Sequence, residues 1–354
     1  MDRVLLLYGG RSAEHEISCL SARSVLEVVD RDRYEVIPVG ITRDGRWTAT
    51  DGRIEPPPGE PLPHVNDDGP TVALVGTRTG PQLLSLDESD GVARSLGPVD
   101  VAFPLLHGPW GEDGTVQGLL ATVGVRYVGA DVTASSIGID KAAMKAAFAA
   151  RDLPQLPYRT IDRTRWAAEP DAVAAELDAA LTRPWFVKPA RQGSSIGISK
   201  VNAPDQLDEA MALAYDHDAV AVIEEGMEDA RELEVAVLGD RDLAVTAPGE
   251  IVPSHEFYDF EAKYLDASEL RIPADVPDDL RGRLDDLARR AYRAIGCRGL
   301  GRIDFLARRD GEVVVNEINT IPGFTPASMF PRLWAAEGLD YPALVDRLLT
   351  EAAE

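Results

Sequence analysis

Apolar runs alternate with helical patterns through the first third of the chain, and acidic with aliphatic positions in parts of the last third. Val4-Leu-Leu-Leu7 reads as a buried strand, followed by a Gly-rich turn from Tyr8 to Glu14 and a helical pattern to about Val29. Tyr34 to Val39, Val99 to Leu106 and Val125 to Val128 predict further strands, so the chain opens as an α/β sheet. Residues 51 to 70 are dense in Pro, Gly and Asp, and are expected as a surface excursion within that first domain. After Gly129 the texture changes. Asp140 to Arg151 predicts an Ala-rich helix with Asp140 as N-cap, and residues 170 to 181 a second helix. Trp185-Phe-Val-Lys188 is a strand running into a turn from Pro189 to Gly197, and Val220 to Glu224 and Glu232 to Leu238 are strands. Glu250 to Pro273 is expected to be irregular, followed by a helix, a hairpin and a C-terminal helix. No internal repeat is visible.

The hairpin carries the most information. Gly301 to Asn319 reads as two strands joined at Asp310-Gly311, a two-residue turn signal. That turn sets Leu306 opposite Val315, Asp304 opposite Glu317 and Arg302 opposite Asn319. Opposed residues share a face, so Arg302, Asp304, Glu317 and Asn319 would line one side of the sheet. Two carboxylates ~4 Å apart repel by about 4 kcal/mol in a partly shielded site. A hard cation relieves this, because Mg²⁺ takes oxygen ligands and shares its shell with substrate phosphates. The plain alternative is a solvated polar face. Val313, Val314 and Val315 with Ile303, Phe305 and Leu306 put apolar side chains on both faces, which favours burial and therefore the cation.

Composition narrows the field. At 354 residues the chain can hold two or three domains, and a net charge of −24 argues against nucleic-acid and anionic-membrane partners. Only Lys141, Lys145, Lys188, Lys200 and Lys263 are lysine among 36 basic residues. Arginine serves for general surface charge, so the few lysines are enriched where a compact point charge is wanted. At the N1 position of its helix, Lys141 faces the positive end of the dipole, a poor place unless an anion lies nearby. Two cysteines, Cys19 and Cys297, are too few for a disulfide framework and suit a reducing compartment. Met1 to Leu7 is too short and polar-flanked for a signal peptide, and no apolar run approaches ~18 residues, so a cytoplasmic location is expected.

Lys188-Pro-Ala-Arg-Gln-Gly-Ser-Ser-Ile-Gly197 puts a lysine at a strand end ahead of a Gly/Ser turn whose N–H groups and hydroxyls can cradle phosphate oxygens. Seen alone it reads equally as a surface turn. Beside the hairpin it points to Mg-ATP. Gly9-Gly10 after the first strand invites a nicotinamide reading, but the third glycine of that fingerprint is missing because position 14 is Glu. His107, just beyond a strand's carboxyl end, lies where open α/β sheets bind ligands, or else merely hydrogen-bonds its own loop. With five histidines in all, no cluster suggests zinc. Phe257 to Tyr264 is aromatic-rich and reads as a lid that docks and carries Lys263 into the closed site.

Together these segments resemble the D-alanine–D-alanine ligases of the ATP-grasp superfamily over nearly the whole chain. The motifs that carry the likeness are Gly-Gly-Arg-Ser-Ala-Glu-His-Glu-Ile-Ser18, His107-Gly to Glu-Asp-Gly114, Gly301-Arg-Ile-Asp304, and Asn316-Glu-Ile-Asn-Thr-Ile-Pro-Gly323. The resemblance implies an α/β fold, α+β in the C-terminal half, with three domains. These are an N-terminal substrate-binding domain at 1–129, a central subdomain at 130–225, and a C-terminal subdomain at 226–354 with the metal site and lid. It implies that ATP phosphorylates one D-alanine and that the amine of a second attacks the acyl-phosphate. By position, Asp304, Glu317 and Asn319 match the ligands of two Mg²⁺ ions, with Mn²⁺ a substitute. Arg302 and the backbone at Gly323 match the oxyanion contacts, and Lys141 and Lys188 the phosphate-binding lysines. Glu224, Glu225 and Met227 match the adenine-side connector, and Glu232 the ribose contact. Glu14 matches the group binding the first substrate's ammonium, while Lys263 and Ser328 match those holding the second substrate's carboxylate. Ser194 and Tyr264, with Glu14, match a latch on the lid, and His107 matches a residue close to the substrates. Tyr264 goes with a second D-alanine rather than D-lactate. A homodimer is implied as well. The rivals are a ligase for D-lactate or other amino acids, and a catalytically silent nucleotide-binding protein.

Overall fold

The structure, a computed structural model, describes residues 1–87, 89–252 and 269–353. Among the described residues, three sheets organise it. The first has eight strands, with Asp2–Gly9 hydrogen-bonded in parallel to Tyr34–Ile41 on one side and to Val101–Pro104 on the other. The chain leaves Asp2–Gly9 through the helix His15–Val28 to Tyr34–Ile41, and reaches Val101–Pro104 only later. The strand order therefore reverses at Asp2–Gly9, and the loops after it and after Val101–Pro104 flank the crevice where such sheets bind ligands. Leu5, Leu6 and Leu7 are fully buried, as the apolar run requires of a strand covered on both faces.

Three strands, Thr71–Thr77, Gly80–Asp87 and Val92–Pro98, extend this sheet as an antiparallel meander that the hydrophobic pattern did not foretell. The excursion at 51–70 is pinned down. Ile54 and Val65 are buried, and the Val65 N–H donates to His15 Nε2 at 3.0 Å.

The second sheet comprises Ser199–Val201, Trp185–Pro189, Val220–Glu225 and Tyr158–Asp162, all antiparallel. One face, with Trp185, Val187, Ala221 and Ile223, packs on the helices Pro170–Ala180 and Leu207–His217. Alternation turns Phe186, Lys188, Val222 and Glu224 to the other face.

The third sheet is built around Arg231–Gly239, Gly299–Ala307 and Val313–Asn319, extended by Gly249–Val252 and Glu269–Arg271. Leu233, Val235, Ile303, Phe305, Val315 and Ile318 form its core with the helix Asp278–Ala294 and with Met144 and Phe148 of the helix Lys141–Ala149. The opposite face changes character along its length. Glu234, Arg302 and Asp304 occupy one half, while Ala236, Leu238 and Leu300 pack into a core shared with the first sheet and the C-terminal helices.

The expected irregular stretch at Glu250 to Pro273 is thus bracketed by a ladder, Glu250↔Arg271 to Val252↔Glu269. The lid residues Phe257 to Tyr264, including Lys263 and Tyr264, lie outside the described residues.

The hairpin register is met at the site and missed at the turn. Arg302 faces Asn319 and Asp304 faces Glu317 as expected, but Leu306 faces Val314 rather than Val315. The loop has three residues instead of two: the Arg308 N–H donates to the Glu312 carbonyl at 2.8 Å, and Gly311 takes φ 95°. This shifts the pairing by one residue. A β-bulge then sets Asn316 and Glu317 together opposite Asp304 and restores it. Without the bulge Glu317 would pair with Ile303 and turn into the apolar core. Extra loop residue and bulge cancel.

Candidate active site

The helix Lys141–Ala149 starts where its sequence says. Asp140 Oδ1 accepts the Ala142 and Ala143 N–H groups at 3.0 and 3.1 Å. Lys141 at N1 escapes the helix dipole by donating from Nζ to the Gln192 carbonyl at 2.6 Å, 3.9 Å from Glu317 Oε2. One turn on, Lys145 Nζ lies 2.7 Å from Glu224 Oε2, and Lys188 Nζ donates to Glu224 Oε1. One helix face therefore ties the second sheet to the third. Glu224 is 1% exposed. Burial alone would raise its pKa, but the Lys188 and Lys145 ammonium groups outweigh that and hold it down to about 2.

The Gly/Ser turn crosses to the first sheet. Ser194 and Ser195 both adopt left-handed backbone, φ 50° and 58°, and Ser194 Oγ donates to Glu14 Oε1. Glu14 is held from below: its N–H donates to Ser12 Oγ, which donates to the His107 carbonyl at 2.7 Å. Gly108 is required beside it, since a Cβ there would lie 2.5 Å from Glu14 Oε2 at φ 74°.

His107 is buried and committed on both ring nitrogens. A carbonyl can only accept, so Nδ1–H donates to the Ile321 carbonyl at 3.0 Å. Burial lowers its pKa, the ring is neutral, and Nε2 accepts the Ser21 hydroxyl at 3.0 Å. His107 thus positions the Ile321 peptide. Glu112 holds the preceding peptide, Oε1 accepting Ile321 N–H at 3.0 Å and Oε2 accepting Gly108 N–H at 2.7 Å. Burial, then the charge of Glu14, push the Glu112 pKa up to about 8.

Because the folded state holds that proton where an unfolded chain has lost it, Glu112 makes stability fall as pH rises from the ordinary glutamate pKa of about 4.3 to about 8. Glu112→Gln is expected to flatten this slope in urea midpoints measured from pH 5 to 9. An unchanged slope would mean another group carries it.

On the third sheet the Arg302 guanidinium bridges carboxylates. Nε and Nη2 each donate to Asp304 at 2.7 Å, and Nε lies 2.9 Å from Glu234 Oε2. Asn319 Nδ2 donates to Asp304 Oδ2 at 3.0 Å. Burial would lower the Arg302 pKa, but Asp304 and Glu234 hold it well above its ordinary value.

Among the described residues no three His, Cys, Asp or Glu side chains gather as a metal site. The set on offer is two carboxylates and an amide, Asp304, Glu317 and Asn319, all hard oxygen donors. Arg302 is the cation resting on Asp304. The donor set fits a divalent ion.

The loop from Gln192 to Ser194 links Glu14 to Lys141 and Glu317, and the hairpin register sets Glu317 opposite Asp304, which holds Arg302 and Asn319, with His107 behind Glu14. Glu232 stands on the Arg302 face, opposite Leu306. Gly323 adjoins Ser328, which caps the helix Met329–Ala336 and accepts the Thr325 N–H through its Oγ at 3.2 Å. Glu225 points away from Lys188 and accepts the Thr182 N–H at 2.7 Å, and Met227 is buried.

Sequence reasoning passed over Glu112, Lys145 and Glu234. Glu112 stood inside a noted motif, Lys145 is four residues after Lys141, and Glu234 is two after Glu232 on the same strand face.

Two antiparallel sheets that present lysines and carboxylates to a common cleft, beside an open α/β domain, define the ATP-grasp class of ligases. The family models described as D-ala D-ala ligase N-terminus and D-ala D-ala ligase C-terminus match residues 3–130 and 147–350. A D-alanine–D-alanine ligase from Arthrobacter sp. (strain FB24) is 47% identical over 357 residues, covering 98% of this chain and 93% of that protein. Its counterpart in Kineococcus radiotolerans is 47% identical over 362 residues, covering 98% and 95%. Among solved structures, the VanG D-Ala:D-Ser ligase from Enterococcus faecalis superposes with a TM-score of 0.85 at 32% identity, covering 99% of both chains. The D-alanine–D-alanine ligase from Coxiella burnetii gives 0.84 at 30% identity, covering 99% of this chain and 94% of that one. The chain belongs to the D-alanine–D-alanine ligase family.

Proposed function

We propose that this protein joins two D-alanine molecules, converting ATP to ADP and phosphate, to supply D-alanyl-D-alanine for peptidoglycan precursors. The observation that carries the reading is the path from Glu14 through Ser194 and the Gln192 carbonyl to Lys141 and Glu317, with Asp304 opposite Glu317 on the hairpin. It sets an ammonium-binding carboxylate, phosphate-binding cations and oxygen ligands at one cleft, in a chain 47% identical to relatives named for this reaction.

In this reading the carboxylate of the first D-alanine, its ammonium held by Glu14, takes the γ-phosphoryl group and ADP leaves. The amine of the second D-alanine then attacks the acyl carbon, and collapse of the tetrahedral adduct expels phosphate. Lys141 and Lys188 leave the Gln192 carbonyl and Glu224 for phosphate oxygens, with Glu224, Glu225 and Met227 on the adenine side and Glu232 at the ribose. Arg302 and the Gly323 backbone meet the developing oxyanion. Ser328, at the positive end of its helix, receives the second carboxylate together with Lys263, while Tyr264 completes the latch with Ser194. Asp304, Glu317 and Asn319 would hold Mg²⁺, or Mn²⁺ in its place, which when bound neutralises phosphate charge. The working division is 1–129, 130–225 and 226–354, the assembled form a homodimer and the location cytoplasmic; among the described residues no helix is long and apolar enough to cross a membrane.

ADP release by the purified protein is expected to require D-alanine and a divalent ion together, with D-alanyl-D-alanine as product. A panel with D-serine, D-lactate and L-alanine decides the second substrate. Turnover with L-alanine alone would remove this reading, and a dominant D-serine or D-lactate product would transfer it to the mixed ligases.

A further inference from the structure

Arg302 Nε carries one proton and has two carboxylates within reach. The proton goes to Asp304 Oδ1 at 2.7 Å, while Glu234 Oε2 lies 2.9 Å from the same nitrogen. Nη2 also donates to Asp304, at 2.7 Å, so the fork sits on Asp304 with both prongs. Glu234 and Asp304 are register partners on adjacent strands, and Arg302 lies beside them on the same face. All three are mostly buried, with side-chain exposures of 17% for Arg302, 7% for Glu234 and 13% for Asp304. A guanidinium bound to Asp304 by both prongs blocks the oxygens that an incoming divalent ion needs. Displaced into this interior without another acceptor, it would be a stranded charge.

We propose that Glu234 is a positioning residue that receives the Arg302 guanidinium when a divalent ion takes Asp304, so that metal loading and arginine placement are one exchange. This rests on the reading of Asp304, Glu317 and Asn319 as metal ligands. A small rotation moves the Nε–H from Asp304 to Glu234. The arginine stays charged and partnered, and its free prong is left for the oxyanion. Glu234 touches neither substrate nor metal in this scheme and acts through Arg302.

The test is Mn²⁺ binding to the full-length protein with ADP present, read from the electron paramagnetic resonance signal of free Mn²⁺. Glu234→Gln is expected to weaken binding about tenfold, the usual order for loss of a residue that supports a metal ligand. Glu234→Asp keeps the charge but shortens the reach, and is expected to weaken binding similarly. In an Arg302→Met background neither change should alter the Mn²⁺ dissociation constant by more than about twofold, because the coupling partner is gone. Wild-type binding by Glu234→Asp, or a Glu234→Gln effect undiminished in Arg302→Met, would reduce Glu234 to a general negative charge and overturn the proposal. Asp304→Asn separates the premise: it should abolish Mn²⁺ binding, and retention there removes the metal reading itself. Loss with Asp304→Asn but none with either Glu234 variant overturns the exchange alone. Thermal unfolding of each variant confirms that a folded protein is being titrated.

Discussion

Arg302→Met is expected to lower turnover by about a thousandfold, or ~4 kcal/mol in the barrier, the upper end for removal of one oxyanion donor. The KM for ATP should move by less than about threefold, since in the proposed roles Arg302 meets charge that exists only after phosphoryl transfer. The same variant has a cost in stability. Arg302 neutralises Asp304 and Glu234 directly, and Glu317 adds to the field that holds it charged. Removing the one cation from a buried pair typically destabilises by about 3–5 kcal/mol. In the proposed reading a divalent ion takes its place, so the deficit in the urea midpoint should shrink when Mg²⁺ is added, and more than the wild type gains. Arg302→Lys retains charge without the fork. It should recover most of the stability and little of the turnover, because an ammonium cannot hold two carboxylates and an oxyanion in one plane. Wild-type turnover by Arg302→Met would remove the arginine from the chemistry; a deficit indifferent to Mg²⁺ would separate it from the metal.

The shared face behind that expectation was legible in residues 301–319 alone, because a strand's two-residue repeat converts spacing into facing, while the oxyanion role of Arg302 came from the family resemblance. Arg302, Asp304, Glu317 and Asn319 followed from the alternation. They followed although the turn was read one residue short, since the bulge at Asn316 removed the error before it reached Glu317. Nothing local announces that compensation: Asn316 is placed by the pairing of both strands, and the neighbouring Val315 N–H is drawn to the Pro154 carbonyl at 2.9 Å. The meander at 71–98 escaped for a different reason. It forms the open end of the first sheet: Thr71–Thr77 alternates, burying Val72 and Leu74, but Val92–Pro98 is exposed along nearly its whole length, so no apolar pattern marks the outer strand. Glu112 and Lys145 owe their roles to partners more than 70 residues away in sequence, Ile321 and Glu224, and only the folded chain brings these together.

Glu224→Ala carries the second large effect. The wild-type carboxylate is shared by Lys145 and Lys188 on the face of the second sheet turned from its core. Removing it leaves two ammonium groups facing each other in a buried site, and the loss of such a partner typically costs about 3–5 kcal/mol. The pH dependence gives the effect a signature. A carboxyl held at about 2 against an unfolded value of about 4.3 contributes stability that is fully present above pH 4.3 and lost as pH falls toward 2. Acid unfolding of the wild type should therefore steepen between pH 4.5 and 2, and Glu224→Ala should lose that part of the slope. ATP affinity separates the two lysines. Lys188 is proposed to leave Glu224 for a phosphate, while Lys145 stays and keeps the carboxylate neutralised. Lys145→Met should then raise the KM for ATP, because releasing Lys188 would expose a lone buried charge, and leave the KM for D-alanine near its wild-type value. An equal rise in both constants would make Lys145 a support for the whole cleft, and an unchanged acid slope in Glu224→Ala would place the titrating carboxyl elsewhere.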